Sequence, residues 1–204
     1  MPEPPRHAAV VHLALPESDS AIVAALRAGE RAGGTALYDR HARYVRRVLV
    51  RVLGPDAEVR DLIQDVFVLA IDSIDSLAEP SALRAWLAGI SVHRARAEIR
   101  RKVRSRWFSP YPSNEPPAVE APSQPPEVSA AVRATYRALE RLSPDERIPF
   151  VLRFIEGMEL TLVADACRVS LATVKRRLAR ARKKFATIAR TMPELSDWID
   201  GGES

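Results

Sequence analysis

Seven prolines fall within the 20 residues from Ser109 to Val128, a density that neither a helix nor a sheet can absorb. Each proline fixes φ and removes a backbone donor, so the segment is read as extended, polyproline-like chain. The chain must therefore fold on either side of it. At roughly 3.1 Å per residue such a linker reaches about 60 Å, the length of about 18 base pairs of duplex. Two small domains joined this way can bridge two DNA sites. The organisation expected is an N-terminal extension over 1–34, partly helical, a first domain over 35–108, the linker over 109–128, a second domain over 129–190 and an acidic tail over 191–204.

A net charge of +5 conceals an uneven distribution. Residues 35–106 hold 14 Lys/Arg against 9 Asp/Glu, and residues 130–190 hold 14 against 6. The linker has three glutamates and no basic residue, and the tail has four acids and no base. Basic domains point to nucleic acid. A hydrophobic content of 47% supports packed cores. The single cysteine, Cys167, can form neither an intrachain disulfide nor a cysteine metal cluster. No apolar run approaches the eighteen or so residues needed to cross a bilayer, and the N-terminus lacks the regions of a signal peptide. A cytoplasmic protein without membrane insertion, cofactor or metal is expected.

Both blocks read as all-α, because apolar residues recur at three- and four-residue spacing and hairpin dipeptides are missing. Leu37, His41, Tyr44, Val45, Val48, Leu49 and Val52 form one stripe, closed by Gly54-Pro55. A second helix is expected from Asp56 to Ile74. A third starts with Ser81 as N-cap and buries Leu83, Trp86, Leu87 and Ile90. Ala21 to Arg31 gives a weak fourth. In the second block, Ala130 to Leu142 is followed by Ser143-Pro144-Asp145-Glu146, a capping box with proline at the first helical position. That helix should end at Gly157 and be kinked by Pro149. Helices over Leu160 to Cys167 and Leu171 to Ala189 close the domain, separated by Arg168-Val169-Ser170.

This last pair has helix-turn-helix spacing, with Ser170 as N-cap of the longer helix. Val174, Leu178, Ala181 and Phe185 share the inward face, leaving Lys175, Arg176, Ala179, Arg180 and Lys183 outward. Residues 175–184 carry seven basic side chains and no acid, which suits a helix lying in the major groove among phosphates and guanine edges. A solvated face would mix both signs. A second basic run, Arg94, Arg96, Arg100, Arg101, Lys102, Arg104 and Arg106, ends the third helix. Trp86 sits at core spacing, whereas Trp107 is open between packing and stacking on a base. The second helix differs: Asp61, Gln64, Asp65, Val68 and Asp72 share a face, with Val59, Ile63, Val66, Phe67 and Ala70 turned largely inward. An acidic stripe with an exposed valine fits a basic protein partner; the plain alternative is a solvated face.

Asp61-Leu-Ile-Gln-Asp-Val-Phe67 resembles the Asp-Leu-Val-Gln-Glu-Thr-Phe signature of region 2 of sigma factors. It is followed by Arg84-Ala-Trp-Leu87 and an isoleucine-led basic helix. Leu142-Ser-Pro-Asp-Glu-Arg147, Phe154-Ile-Glu-Gly157 and Thr173-Val-Lys-Arg-Arg-Leu-Ala-Arg-Ala-Arg182 resemble region 4. With no large domain between them, the chain resembles the extracytoplasmic-function (ECF) branch of the sigma-70 family. The resemblance implies a sigma region 2 bundle and a region 4 helix-turn-helix serving as a promoter-recognition subunit rather than an enzyme. Asp61, Gln64, Asp65 and Val68 would meet core RNA polymerase, which supplies the β and β′ subunits. Asp75, Ser76, Arg84, Arg94, Arg96 and Arg100 would hold the melted minus-10 strand. Lys175, Arg176, Ala179 and Arg180 would read duplex promoter DNA at minus-35, with Ser170 and Thr173 at phosphates. The acidic linker would follow the polymerase's RNA-exit path. An anti-sigma factor is a further partner the family implies.

Arg168 and His93 stand where family members commonly have glycine and asparagine. A non-glycine residue in a left-handed turn costs on the order of 1 kcal/mol. The main competing reading is a helix-turn-helix regulator that never joins polymerase, which leaves the first block unexplained. A helical-bundle metal site from His41, Asp61, Asp65 and Glu98 lacks the paired Glu-x-x-His motifs such sites use.

Overall fold

A computed structural model describes residues 15–54, 59–108 and 126–195, with 102–108 and 126–129 described as backbone only. All regular structure among them is helical. In the first domain α1 (Asp19–Arg27), α2 (Arg31–Leu53) and α3 (Val59–Asp72) are followed by two short 3-10 turns, Ile74–Ser76 and Pro80–Ala82, and by α4 (Leu83–Phe108). The second domain contains α5 (Pro126–Glu140), α6 (Pro144–Phe150), a π-helical turn over Val151–Ile155, α7 (Leu160–Cys167) and α8 (Leu171–Ala189).

The stripe read on α2 is the spine of the first domain: Leu37, Val45, Val48, Leu49 and Val52 are fully buried. Truncating such a side chain typically costs 2–5 kcal/mol. Gly54, at φ +100°, ends α2 as expected. The weak N-terminal segment is a real helix, begun by Ser18, whose side chain accepts from the Ala21 amide at 3.2 Å. Gly33 lets α2 approach it closely, since a Cβ there would lie 2.8 Å from the Leu26 nitrogen.

Several boundaries differ from expectation. Ser81 is not an N-cap. It lies inside the 3-10 turn begun by Pro80, and α4 starts at Leu83. Ile74 belongs to the preceding 3-10 turn rather than to α3. Helix α5 begins at Pro126, within the span assigned to the linker, because proline at a first helical position has no amide to lose. Pro149 leaves α6 intact to Phe150, and the helix then widens into a π turn in which the Glu156 amide reaches back to the Val151 carbonyl. Gly157, at φ +69°, terminates it. Most of the linker, the acidic tail and its Trp198, and the side chain of Trp107 lie outside the described residues.

Candidate nucleic-acid interface

The α7–α8 pair has its predicted bounds. Arg168 supplies the turn in the left-handed conformation, φ 54° and ψ 49°, and Ser170 caps α8, its Oγ accepting from the Thr173 amide at 3.2 Å and lying 3.0 Å from Thr173 Oγ1. Val174 and Ala181 are fully buried beneath α8. Opposite them Lys175, Arg176, Ala179, Arg180 and Lys183 are all exposed. Those four cations have no ion-pair partner among the described residues.

The seven basic residues of α8 thus divide in a way the sequence did not reveal. Arg177 pairs with Asp145 at 3.1 Å and Lys184 with Glu146 at 2.8 Å, tying α8 to α6. Burial raises the Glu146 pKa, but Lys184 and Ser143 outweigh it and hold the carboxyl below its usual value. The Ser143 amide donates to the Glu146 carboxylate at 3.3 Å as the predicted capping box requires, and the Ser143 hydroxyl donates to the same oxygen at 2.9 Å. Arg182 lies 5.9 Å from the Phe154 ring. Together with Phe150 and Phe185 these two line an open cleft of about 470 Å³; Phe185 packs partly buried against the core, on the inward face its spacing gave it.

On α3, Asp61, Gln64, Val68 and Asp72 are exposed, Val68 to 57%. Asp65 is different: half-buried, it is taken by Arg94 of α4. A residue read as part of the protein-docking face and one read as strand-binding are therefore partners. Tyr38, Leu69 and Ile71 are also exposed and extend the apolar part of this face. Tyr38 packs against Phe67 with ring centroids 4.9 Å apart.

Asp75 and Ser76 are exposed in the first 3-10 turn, where the Ser76 hydroxyl donates to the Ser73 carbonyl at 2.7 Å. Arg84, in the first turn of α4, stacks 4.4 Å from the Tyr44 ring centroid, with Arg47 also over that ring at 5.4 Å. Arg84 to Arg100 spans about 24 Å of helix, so this set forms a strip rather than a cluster. His93 and Arg100 are exposed along it, whereas Arg96 turns to Asp145 of the second domain at 3.2 Å. Trp86 packs against the core, as its spacing indicated. The residues weighed as a metal site are not gathered: His41 pairs with Asp19, Asp65 with Arg94 and Glu98 with Arg101.

The model of sigma-70 region 2 matches residues 37–105 and that of sigma-70 region 4 matches residues 133–185, in this order and together over more than half of the chain. The chain belongs to the sigma-70 family. Within it, this sigma factor is of the ECF branch. It is 29% identical over 171 residues to the ECF RNA polymerase sigma factor SigM of Mycobacterium tuberculosis, covering 84% of both chains. It is 26% identical to the ECF RNA polymerase sigma-E factor of Escherichia coli, over 81% of this chain and 91% of that one. In fold it is similar to CnrH, solved in complex with the cytosolic domain of CnrY, with a TM-score of 0.59, 24% identity and coverage of 83% and 96%. It is also similar to the sigma factor RpoE of Bartonella quintana, solved with the anti-sigma factor NepR, with a TM-score of 0.58, 23% identity and coverage of 74% and 92%. A helix-turn-helix regulator independent of polymerase is not favoured, since region 2 accounts for the block which that reading leaves unexplained.

Proposed function

We propose that this sigma factor joins core RNA polymerase in the cytoplasm and directs it to promoters through three surfaces. Asp61, Gln64, Asp65 and Val68 of α3 dock on the β′ subunit: an acidic stripe around an exposed valine fits a basic partner face. Asp75 and Ser76, with Arg84, Arg94, Arg96 and Arg100 of α4, receive the melted non-template strand at minus-10. Unstacking bases costs a few kcal/mol, which their capture must offset. Strand opening is then work done by binding, with no catalytic step of the chain's own. Lys175, Arg176, Ala179 and Arg180 read the minus-35 duplex, with Ser170 and Thr173 at its phosphates. The genes served answer to stress or another signal, with release from an anti-sigma factor as the switch.

The observation that carries this reading is the outward face of α8, four cations with no ion-pair partner among the described residues, on a capped helix behind a tight turn. Such a face neutralises phosphates and presents arginines to guanine edges. The test is to add the full-length protein to sigma-free core polymerase on a library of promoter sequences. Initiation from a restricted subset, absent with core alone, is expected. DNA affinity without core binding or initiation would return the chain to the regulator reading.

A further inference from the structure

The aromatic cleft of the second domain belongs to none of the three surfaces assigned above. Phe150 stands at its centre, with ring centroids 4.9 Å from Phe154 and 5.0 Å from Phe185. Phe154 is 49% exposed. Arg182, on the rim 5.9 Å from the Phe154 ring, is also exposed and has no ion-pair partner among the described residues. Three rings beside a lone guanidinium suit a flat apolar side chain that arrives with a carboxylate next to it.

The chain carries such a segment just past its last described residue. Residues 193–195 begin a helical turn, opened by Pro193 at a position that needs no amide. Glu194 ties this turn to Arg137 of α5 at 2.7 Å. Met192 and Leu195, each 7% exposed, pack with Ala134 and Ala138 of α5 and Ala189 of α8, and Phe185 is packed against the same cluster. In the sequence, Trp198 and Ile199 follow Leu195 by three and four residues, the spacing that continues its buried face. Asp197 and Asp200 flank this apolar pair, and Gly201-Gly202 closes the run.

We propose that the acidic tail folds back on the second domain, seating Trp198 among Phe150, Phe154 and Phe185, with Asp197 and Asp200 supplying the negative charge that Arg182 lacks. The distances allow it. Phe185 precedes Ala189 by four residues, about 6 Å along α8, while the three residues from Leu195 to Trp198 carry the chain about 4.5 Å as helix or about 10 Å when extended. A tether this short holds the indole at an effective concentration of about millimolar, so modest contacts suffice to keep it docked. The docked tail covers apolar surface that otherwise faces water and competes with any partner for the cleft. It lies beside the outward face of α8 rather than over it, since Arg182 stands at the border of that face and Lys175, Arg176 and Arg180 stay exposed. The inference is independent of the promoter and polymerase assignments.

The test uses the full-length chain labelled with fluorotryptophan and read by fluorine NMR. The chain has three tryptophans, and Trp198→Phe identifies the resonance of interest by removing it. A synthetic peptide of residues 193–204 gives the position of the same group free in solution. In the full-length protein the Trp198 resonance should be displaced from that position, and Phe154→Ala and Arg182→Glu should each move it back toward the free value. Both variants alter exposed side chains, so the fold survives them, and unchanged resonances of the other two tryptophans check this. A wild-type resonance at the free-peptide position overturns the proposal, as does a displaced resonance that neither variant moves. A response to Phe154→Ala alone keeps the aromatic seat and removes Arg182 from it. A response to Arg182→Glu alone overturns the seat, leaving an ion pair outside the cleft.

Discussion

Arg168 occupies a backbone conformation, φ 54° and ψ 49°, that crowds its Cβ against the following carbonyl. Its own amide is satisfied, donating to the Ala164 and Asp165 carbonyls, so the cost lies in the side chain's presence rather than in a lost hydrogen bond. Arg168→Gly should therefore raise the stability of the protein by about 0.5–1 kcal/mol, seen as a higher urea midpoint with unchanged slope. Arg168→Val, β-branched at the same position, should lower it. This site was legible in the sequence because the Ser170 cap and the end of α7 fix the register of the turn. Asp65 was not. Its place on the α3 stripe could be read from spacing, but its capture by Arg94, 29 residues later, depends on how α3 and α4 cross.

Elements were readable where the chain punctuates itself. Gly54, the Ser143 capping box, Gly157 and Ser170 set four boundaries through local chemistry, and α7 and α8 have their predicted bounds. Short 3-10 turns lack such a signature, which is why Ser81 was mistaken for a cap. Helix α1 gave a weak signal because its attachment is tertiary: Asp19, in its first turn, forms an ion pair with Arg40 at 2.8 Å and lies 3.2 Å from His41 Nε2. His41 is buried, and burial lowers its pKa below the ordinary value despite the opposing pull of Asp19. The folded form thus binds a proton less readily than the unfolded chain. Stability from this site is fully present above the unfolded value of 6.5 and is lost as pH falls from there toward the folded value. Urea unfolding at pH 7.5 and 5.5 should show wild type losing more stability than His41→Gln over that interval. Equal losses would mean that other groups govern the window.

At the scale of the whole molecule, the two-domain division and the all-α class followed from proline density and periodicity, but the packing of the domains did not. Arg96 read as a DNA-facing cation, and nothing in the spacing of Arg47 and Arg51 marked them as paired. Their carboxylate partners lie far along the chain, beyond the reach of any helical spacing. The aromatic cleft of Phe150, Phe154 and Phe185 was hidden for a related reason: the π turn shifts the register of the residues after α6. Surface assignment is consequently the claim most in need of direct test. The measurement is a crossed one, with core-polymerase affinity and minus-35 duplex affinity each determined for wild type, Asp61→Ala and Arg176→Ala. Asp61→Ala should weaken core binding and leave duplex affinity unchanged. Arg176→Ala should leave core binding unchanged and reduce duplex affinity by about 1–3 kcal/mol, or roughly 5- to 150-fold. Loss of both affinities in both variants, or core binding indifferent to Asp61, would contradict the division of labour between α3 and α8.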